Sequence, residues 1–338
     1  MPSSDAAFGS PGTGNTVPLV SIAIRAFRRR WLHEAIASVL TQTHQHLELV
    51  IFDDAGDLED VAASFADARV RYVRAVTRLG ASGRFSAAVA ECRGEFIGLL
   101  DDDDRYERTF VERLLRELLD DPDAGIAFCR TMYDYRGRLF TPRDSRPSGR
   151  IPNAAYRMLA ERWTVSPSHM LIRRNALDAA WRDQAMPDGV SPDLFVNMRV
   201  ALAGWHHVLS PWALCVYRWH DEQLSRRGPS ATDLPIATLK ALRVDDGPLG
   251  ALRNRALARA YLARGVARVA AGDRRASLED CRAAADASPR SWRLPRRLLT
   301  LAAWSGVAGS RLTRGVLTLM PRGHHRTRPP RSIGTAGR

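Results

Sequence analysis

Four consecutive carboxylates, Asp101–Asp104, close the apolar run Glu95–Leu100 and are the densest concentration of chemistry in the sequence. Each aspartate raises its neighbour's pKa, so the cluster is costly unless a cation shares the space. Hard oxygen donors at a strand end, with an anionic diphosphate as co-ligand, suit Mg²⁺ or Mn²⁺. The same residues also fit a plainer role, a solvated acidic turn before a helix, where aspartate is favourable. A second acidic pair, Asp53-Asp54, follows the run Leu47–Phe52 well upstream. One pair can hydrogen-bond a nucleoside while the other holds metal and phosphate. No G-x-G-x-x-G follows the first apolar run, which argues against a dinucleotide site. No G-x-x-x-x-G-K-[ST] occurs, which argues against a P-loop.

These carboxylates can act together only if the chain brings the ends of their runs to one edge. Leu19–Ile24 and Leu47–Phe52 read as buried strands, Arg69–Val73 as a short third strand and Glu95–Leu100 as a fourth. Helices are predicted over Trp31–Thr41, with Leu32, Ala35, Ile36 and Val39 on one face, and over roughly Ser82–Cys92. Another runs over about Glu107–Leu119 and stops at Asp121-Pro122. This alternation predicts an α/β fold, a mainly parallel sheet with helices on both faces. Such sheets bind ligands outside the carboxyl ends of their strands, where Asp53, Asp54 and Asp101–Asp104 fall. Beyond Ala124 the texture changes. Ile126–Tyr135 and Arg138–Thr141 form a predicted hairpin through Arg136-Gly137, and Ile151 to Leu224 mixes helices with strands near His169–Ile172 and Ala213–Arg218. After Arg226–Pro229 the chain is Ala/Arg/Leu-rich and helical. Tyr261–Pro289 reads as two short helices joined at Gly272-Asp273, similar to one tetratricopeptide-type hairpin and short of the roughly three repeats an array needs.

The formal net charge is +13 over 338 residues, nearly all of the basic charge is arginine, and Lys240 is the sole lysine. That balance suits anionic partners such as nucleotides or acidic lipid. Nucleic acid is not expected, because no aromatic-basic module accompanies the charge. No acidic side chain follows Asp286, and the apolar stretch Leu298–Met320 is broken by Arg311 and Arg314. It fits either a solvent-facing amphipathic helix or one lying on anionic lipid, with an Arg/His/Pro tail after it. Cys92, Cys129, Cys215 and Cys281 follow no metal-ligand spacing and read as small core hydrophobes in a reducing compartment. Residues 1–17 are Gly-, Pro- and Ser-rich and lack the pattern of a secretory signal, so they read as a disordered tail. No uncharged apolar run reaches the roughly 18 residues that span a bilayer. These features predict a cytoplasmic protein, with peripheral contact to the inner face of the membrane as the lipid form of that expectation.

The order of pieces resembles the inverting family 2 glycosyltransferases of the GT-A fold. The matching pieces are Val20–Ile24, Glu34–Thr43, Glu48–Ala55, Leu79-Gly80, and Arg93–Ile97 running into Asp101–Asp104, and the resemblance covers roughly residues 18–225. It implies that Asp53 or, preferably, Asp54 contacts the nucleotide base. Asp101 and Asp103 form the D-x-D pair, with Asp101 near ribose and metal, Asp103 the principal metal ligand and Asp104 a helper. Family members carry an acidic pair before a helix that ends in Ala-Gly. Counting back from Ala203-Gly204, Asp193 takes the place of the general base and Pro192 replaces the usual glutamate, with Asp188 as the fallback. The bare residues also allow a simpler role, a helix start with Ser191 as N-cap and Pro192 first. Val216–His220, followed by Gln223–Ser225, resembles the end of the same domain, where a histidine or arginine can approach the diphosphate or metal; His220 is the candidate ligand, and otherwise a surface histidine. His169 reads as a structural residue.

Two segments depart from the family. Where Pro-Thr-Tyr-Asn is usual, this chain has Arg25-Ala26-Phe27-Arg28, followed by Arg29 and Arg30. Phe27 can still stack near the base. Arginines before a helix oppose its dipole by roughly 0.3–1 kcal/mol each when exposed, so Arg25 and Arg28 are expected to meet an anion, the nucleotide phosphates. Ser82–Ser86 also differs, and Arg84 is the candidate there for the pyrophosphate. The expected organisation is a tail over 1–17, a GT-A domain over 18–228, a helical extension over 229–290 and a basic amphipathic segment and tail over 291–338. The expected function is metal-dependent transfer from a UDP-, TDP- or GDP-sugar to a hydroxyl acceptor on a cell-surface glycan, glycolipid or secondary metabolite. The alternative is a degenerate GT-A module used as a scaffold, to which the altered Arg25–Arg28 segment lends weight.

Overall fold

The structure is a computed structural model that describes residues 17–305, apart from 55, 143, 145, 162–164, 183, 222 and 224–229. The expected N-terminal tail, most of Leu298–Met320 and the Arg/His/Pro tail therefore lie outside the described residues.

Strand β1 (Val20–Ala26) is buried along its whole length, as a continuous apolar run flanked by parallel strands on both sides must be. It pairs in parallel with β2 (Leu47–Asp53) and with β4 (Phe96–Asp101), and β2 pairs in parallel with β3 (Val70–Arg74). Alternate residues feed different cores: Ile22 and Ile24 join one cluster, Ala23 the other. The first cluster takes α1 (Leu32–Leu40) and α4 (Phe110–Asp120), while α3 (Gly80–Ala90), α6 (Arg174–Arg182) and α7 (Pro192–Leu202) pack in the second. The predicted face of α1, Leu32, Ala35, Ile36 and Val39, is the buried one.

Beyond β4 the sheet becomes mixed. β9 (Met170–Arg173) enters antiparallel between β4 and β6 (Ala124–Tyr135), and β10 (His206–Trp219) lies parallel to β6. The short β5 (Arg105–Tyr106) pairs with β10 at the far edge, giving the order β3-β2-β1-β4-β9-β6-β10-β5, and β8 (Gly149–Ile151) pairs antiparallel with the start of β10. The hairpin from β6 to β7 (Arg138–Phe140) turns through Arg136 and Gly137, both at positive φ (54° and 81°). The strand expected from His169 begins one residue later, because Pro167 starts a 3₁₀ turn, Pro167–His169, that carries the histidine.

The C-terminal helices are α8 (Ser230–Ala241), α9 (Pro248–Ala270), α10 (Arg274–Ala287) and α11 (Arg293–Ser305). The turn at Gly272-Asp273 is capped by the Asp273 side chain, which accepts from Ala276 N at 3.0 Å. The helix before it begins at Pro248, well ahead of Tyr261, with proline in the first turn where its missing N–H costs nothing. Arg264 and Arg268 neutralise the buried Asp280 at 2.7 and 3.1 Å and tie α9 to α10.

Candidate active site

The register sets the two acidic strand ends on either side of β1. Ala26 stands opposite Asp53, and Arg25 opposite Asp101. The chain leaves β4 in a tight turn closed by Asp104 N donating to Asp101 O at 3.1 Å. This turn splits the four aspartates into two roles. Asp101, Asp103 and Asp104 present carboxylate oxygens within 4.8 Å of one another. Asp102 turns away and accepts from Phe27 N at 2.6 Å and Arg28 N at 2.5 Å, so it pins the loop between β1 and α1.

The electrostatics follow from packing acids together away from water. Burial, and after it the Asp103 carboxylate, pushes Asp102 up to about 6. Asp103 is raised by burial and then by Asp101, and Asp104 is held well above the usual range by burial, then Asp103 and Asp101. Asp104 Oδ1 accepts from Arg218 N at 3.1 Å. Its Oδ2 is buried with no properly oriented hydrogen bond among the described residues, although the Ser168 hydroxyl is near enough to steady its charge. Three converging carboxylates, mutually repelling and with one orphaned oxygen, fit a hard divalent cation with oxygen ligands.

Around this cluster the structure gathers residues from distant parts of the chain. Arg25 pairs with Asp101, and Arg28 lies 3.5 Å from Asp103. Arg29 pairs with Asp60 at 2.6 Å. The anions that these arginines meet within the protein are its own carboxylates. His220 is drawn onto Asp103 at 2.9 Å and packs on Trp31 with ring centroids 4.5 Å apart, so it is no surface residue. Two further residues were not anticipated. Ser168 Oγ accepts from Asp101 N at 3.1 Å, and Arg218 Nε donates to Asp103 O at 3.1 Å while its other nitrogens reach Glu34 and Asp134. Arg218 could have been found: it lies two residues before His220, and period-two alternation sends both side chains to one side. Nothing in the sequence marks Ser168.

On the β2 side the adjacent aspartates diverge. Asp53 is fully buried and spends its carboxylate on Gly56 N at 2.8 Å, Leu58 N at 3.0 Å and the Tyr72 hydroxyl at 2.6 Å. It fixes the loop after β2 and is withdrawn from the crevice. Asp54 instead accepts from Leu79 N at 3.0 Å, at the start of α3, where a carboxylate complements the helix dipole. Arg84, one turn into α3, stands 3.9 Å from Asp54 and 5.6 Å over the Phe27 ring. Burial, and then Arg25, lowers its pKa.

Asp193 sits in the first turn of α7. Ser191 does not cap this helix with its side chain; its hydroxyl donates to Asp193 Oδ1. The preceding loop docks on α3 through Gly189 N donating to Ser82 Oγ at 3.0 Å, and a Cβ on Gly83 would lie 3.8 Å from Asp188. The start of α7 is thereby brought to the same helix N-terminus that Asp54 touches.

The family model described as "Glycosyl transferase family 2" matches residues 21–181. The putative teichuronic acid biosynthesis glycosyltransferase TuaG of Bacillus subtilis is 27% identical over 135 residues, covering 38% of this chain and 52% of TuaG. WfaP of Escherichia coli, a UDP-Glc:alpha-D-GlcNAc-diphosphoundecaprenol beta-1,3-glucosyltransferase, is 31% identical over 96 residues, covering 28% of this chain and 38% of WfaP. The chain thus spans about half or less of the length of these curated relatives. Among solved structures, residues 1–349 of S. aureus TarS in complex with UDP-GlcNAc superpose with a TM-score of 0.63 at 13% identity, over 86% of this chain and 89% of that one. The profile match shows a glycosyl transferase family 2 domain over residues 21–181, and the superposition shows that it has the GT-A fold.

Proposed function

We propose that the protein transfers a sugar, with inversion, from a nucleotide-diphosphate sugar to a hydroxyl acceptor, using Mn²⁺ or Mg²⁺ held by Asp101, Asp103 and Asp104. The observation that carries this proposal is the convergence of those three carboxylates at the end of β4, with Asp104 Oδ2 buried and given no well-oriented hydrogen bond among the described residues. A bound divalent cation neutralises the charge that develops on a departing diphosphate. His220, already against Asp103, completes the ligand set from β10. Asp54, Phe27 and Arg84 form the nucleotide side, with Phe27 as the stacking surface, Asp54 as acceptor for a base N–H, and Arg25, Arg28 and Arg84 as the positive field for the diphosphate. Asp53 serves that side indirectly by shaping the loop.

Asp193 is the general base. It accepts the acceptor hydroxyl proton while that oxygen bonds to the anomeric carbon and the nucleotide diphosphate leaves with the bonding pair. The Ser191 hydroxyl, which donates to its Oδ1, orients it. Asp188, in the loop that docks on α3, is the fallback for that role. TarS bound to UDP-GlcNAc and WfaP acting with UDP-Glc support a UDP-sugar over TDP- and GDP-sugars. WfaP's diphosphoundecaprenol acceptor supports a glycolipid acceptor at the inner face of the membrane, reached by peripheral contact.

A thermal-shift panel of UDP, TDP and GDP with and without Mn²⁺ tests the donor side, because a ligand that binds only the folded state raises the melting temperature. Stabilisation by one diphosphate that requires Mn²⁺, and that Asp103→Ala abolishes, is the expected outcome. No stabilisation by any of the three would favour the scaffold alternative.

A further inference from the structure

A cavity of about 410 Å³ opens on the β10 side of the acid cluster, within the size range of small-ligand pockets. Arg30, Trp31, Arg136, Arg218, Trp219 and His220 line most of it. Its wall at His220 is shared, because the same ring contacts Asp103 at 2.9 Å. The nucleotide side, at Phe27, Asp54 and Arg84, lies toward β2, so the cavity is not part of it.

The cavity is set up for negative charge. Three arginines face two aspartates, Asp134 and Asp221. Asp134 is already committed: Oδ2 lies 3.3 Å from Arg105 and 3.4 Å from Arg218, and Oδ1 accepts from Gly137 N at 2.8 Å. Arg30 and Arg136 have no acidic partner among the described residues. Each instead lies over an aromatic ring, Arg30 at 4.6 Å from the Trp31 centroid and Arg136 at 5.3 Å from that of Tyr135. Stacking holds a guanidinium in place while leaving its N–H fork free for an oxyanion. Arg136 also holds a left-handed conformation, φ 54°, in a turn position where Asn or Gly is usual. Strain of that kind at a cavity wall points to a use for the side chain.

We propose that this cavity binds a small polyhydroxylated anion distinct from the sugar donor, its phosphate or carboxylate held by Arg30 and Arg136 and its apolar face against Trp31, Tyr135 and Trp219. Through His220 the site communicates with the acid cluster, a coupling that rests on the proposed cation site; the anion site itself does not.

Calorimetric titration of the full chain with glycerol 3-phosphate, glucuronate and inorganic phosphate, first without divalent cation, tests the site alone. Saturable binding is expected, weakened at least about tenfold by Arg30→Ala with Arg136→Gly, since each removes a charge-assisted contact. Arg136→Gly relieves the turn, so its melting temperature stays at or above that of the parent and lost binding is not lost folding. Preference for glycerol 3-phosphate or glucuronate over inorganic phosphate supports the proposed ligand class, and equal affinity for inorganic phosphate overturns the polyhydroxylated part of it. No binding of any probe, or binding unchanged in the double variant, overturns the site. Repetition with Mn²⁺ should change the affinity at least about fivefold. Identical affinity would overturn the coupling and leave the donor proposal to its own test.

Discussion

Asp102 shows how neighbours of one residue type take different jobs. Its carboxylate holds the Phe27 and Arg28 amides, and burial with Asp103 beside it raises its pKa from 3.8 to about 6. Between those values the folded protein keeps a proton that the unfolded chain has lost, so stability falls as pH rises through the window. Asp102→Asn keeps an acceptor and removes the charge. In EDTA at pH 7.5 it should stabilise the protein, by on the order of 2 kcal/mol, with the gain fading below about pH 4. Urea titrations at several pH values measure this, and a gain that persists at low pH would refute the assignment. Asp193→Asn belongs to the same scale. Transfer should drop by roughly 10²–10⁴ while Mn²⁺-dependent UDP binding stays. Lost UDP binding would remove Asp193 from the role of base.

Between elements, the approach of β4 to β1 decides whether the acids meet. The segment Arg93-Gly94-Glu95 that leads into β4 is tied to β1 by Ser21 Oγ, which accepts from Gly94 N at 2.7 Å and donates to Glu48 at 2.6 Å. A Cβ on Gly94 would lie 2.6 Å from Leu19 O and 2.7 Å from Ser21 N, both backbone atoms that cannot step aside. Gly94→Ala should therefore destabilise the fold by at least about 2 kcal/mol and weaken Mn²⁺ binding by shifting the β4 terminus. Chemical denaturation with and without Mn²⁺ reports both effects, and a neutral substitution would mean that the strand junction yields. The loop before α7 likewise docks on α3 through Gly189 N, which donates to Ser82 Oγ at 3.0 Å.

At the scale of the molecule, the net charge of +13 is unevenly placed, with no acid after Asp286. No helix among the described residues is long and apolar enough to cross a membrane. α11 carries Arg293, Arg296 and Arg297, with Leu294 and Leu301 exposed and Leu299 buried on α9. Contact with anionic lipid through this end should float the full chain with acidic vesicles at about 0.05 M salt and release it at about 0.5 M, as screening demands. A chain ending near Pro289 should lose the interaction in the same flotation assay. Equal partitioning of the two would end the lipid proposal.

Much of this was legible in the chain because its signals are local. Buried parallel strands must be continuous apolar runs, so β1, β2 and β4 and the carboxylates at their ends could be read directly. The apolar stripe of α1 and the Arg136-Gly137 turn were legible for the same reason. What the sequence could not decide was direction. Adjacent aspartates look alike in one dimension, and only the closed turn after β4 sends Asp102 to the loop and its three neighbours to a common point. Packing likewise withdrew Asp53 onto Tyr72 and left Asp54 at the helix. Ser168 meets Asp101 where the turn before β9 reaches the end of β4, and the cavity behind His220 arises where the end of β10 meets the β6–β7 turn and the loop before α1. Their neighbours are dozens of residues away in the chain, and no periodicity encodes a contact made only when the sheet closes around it.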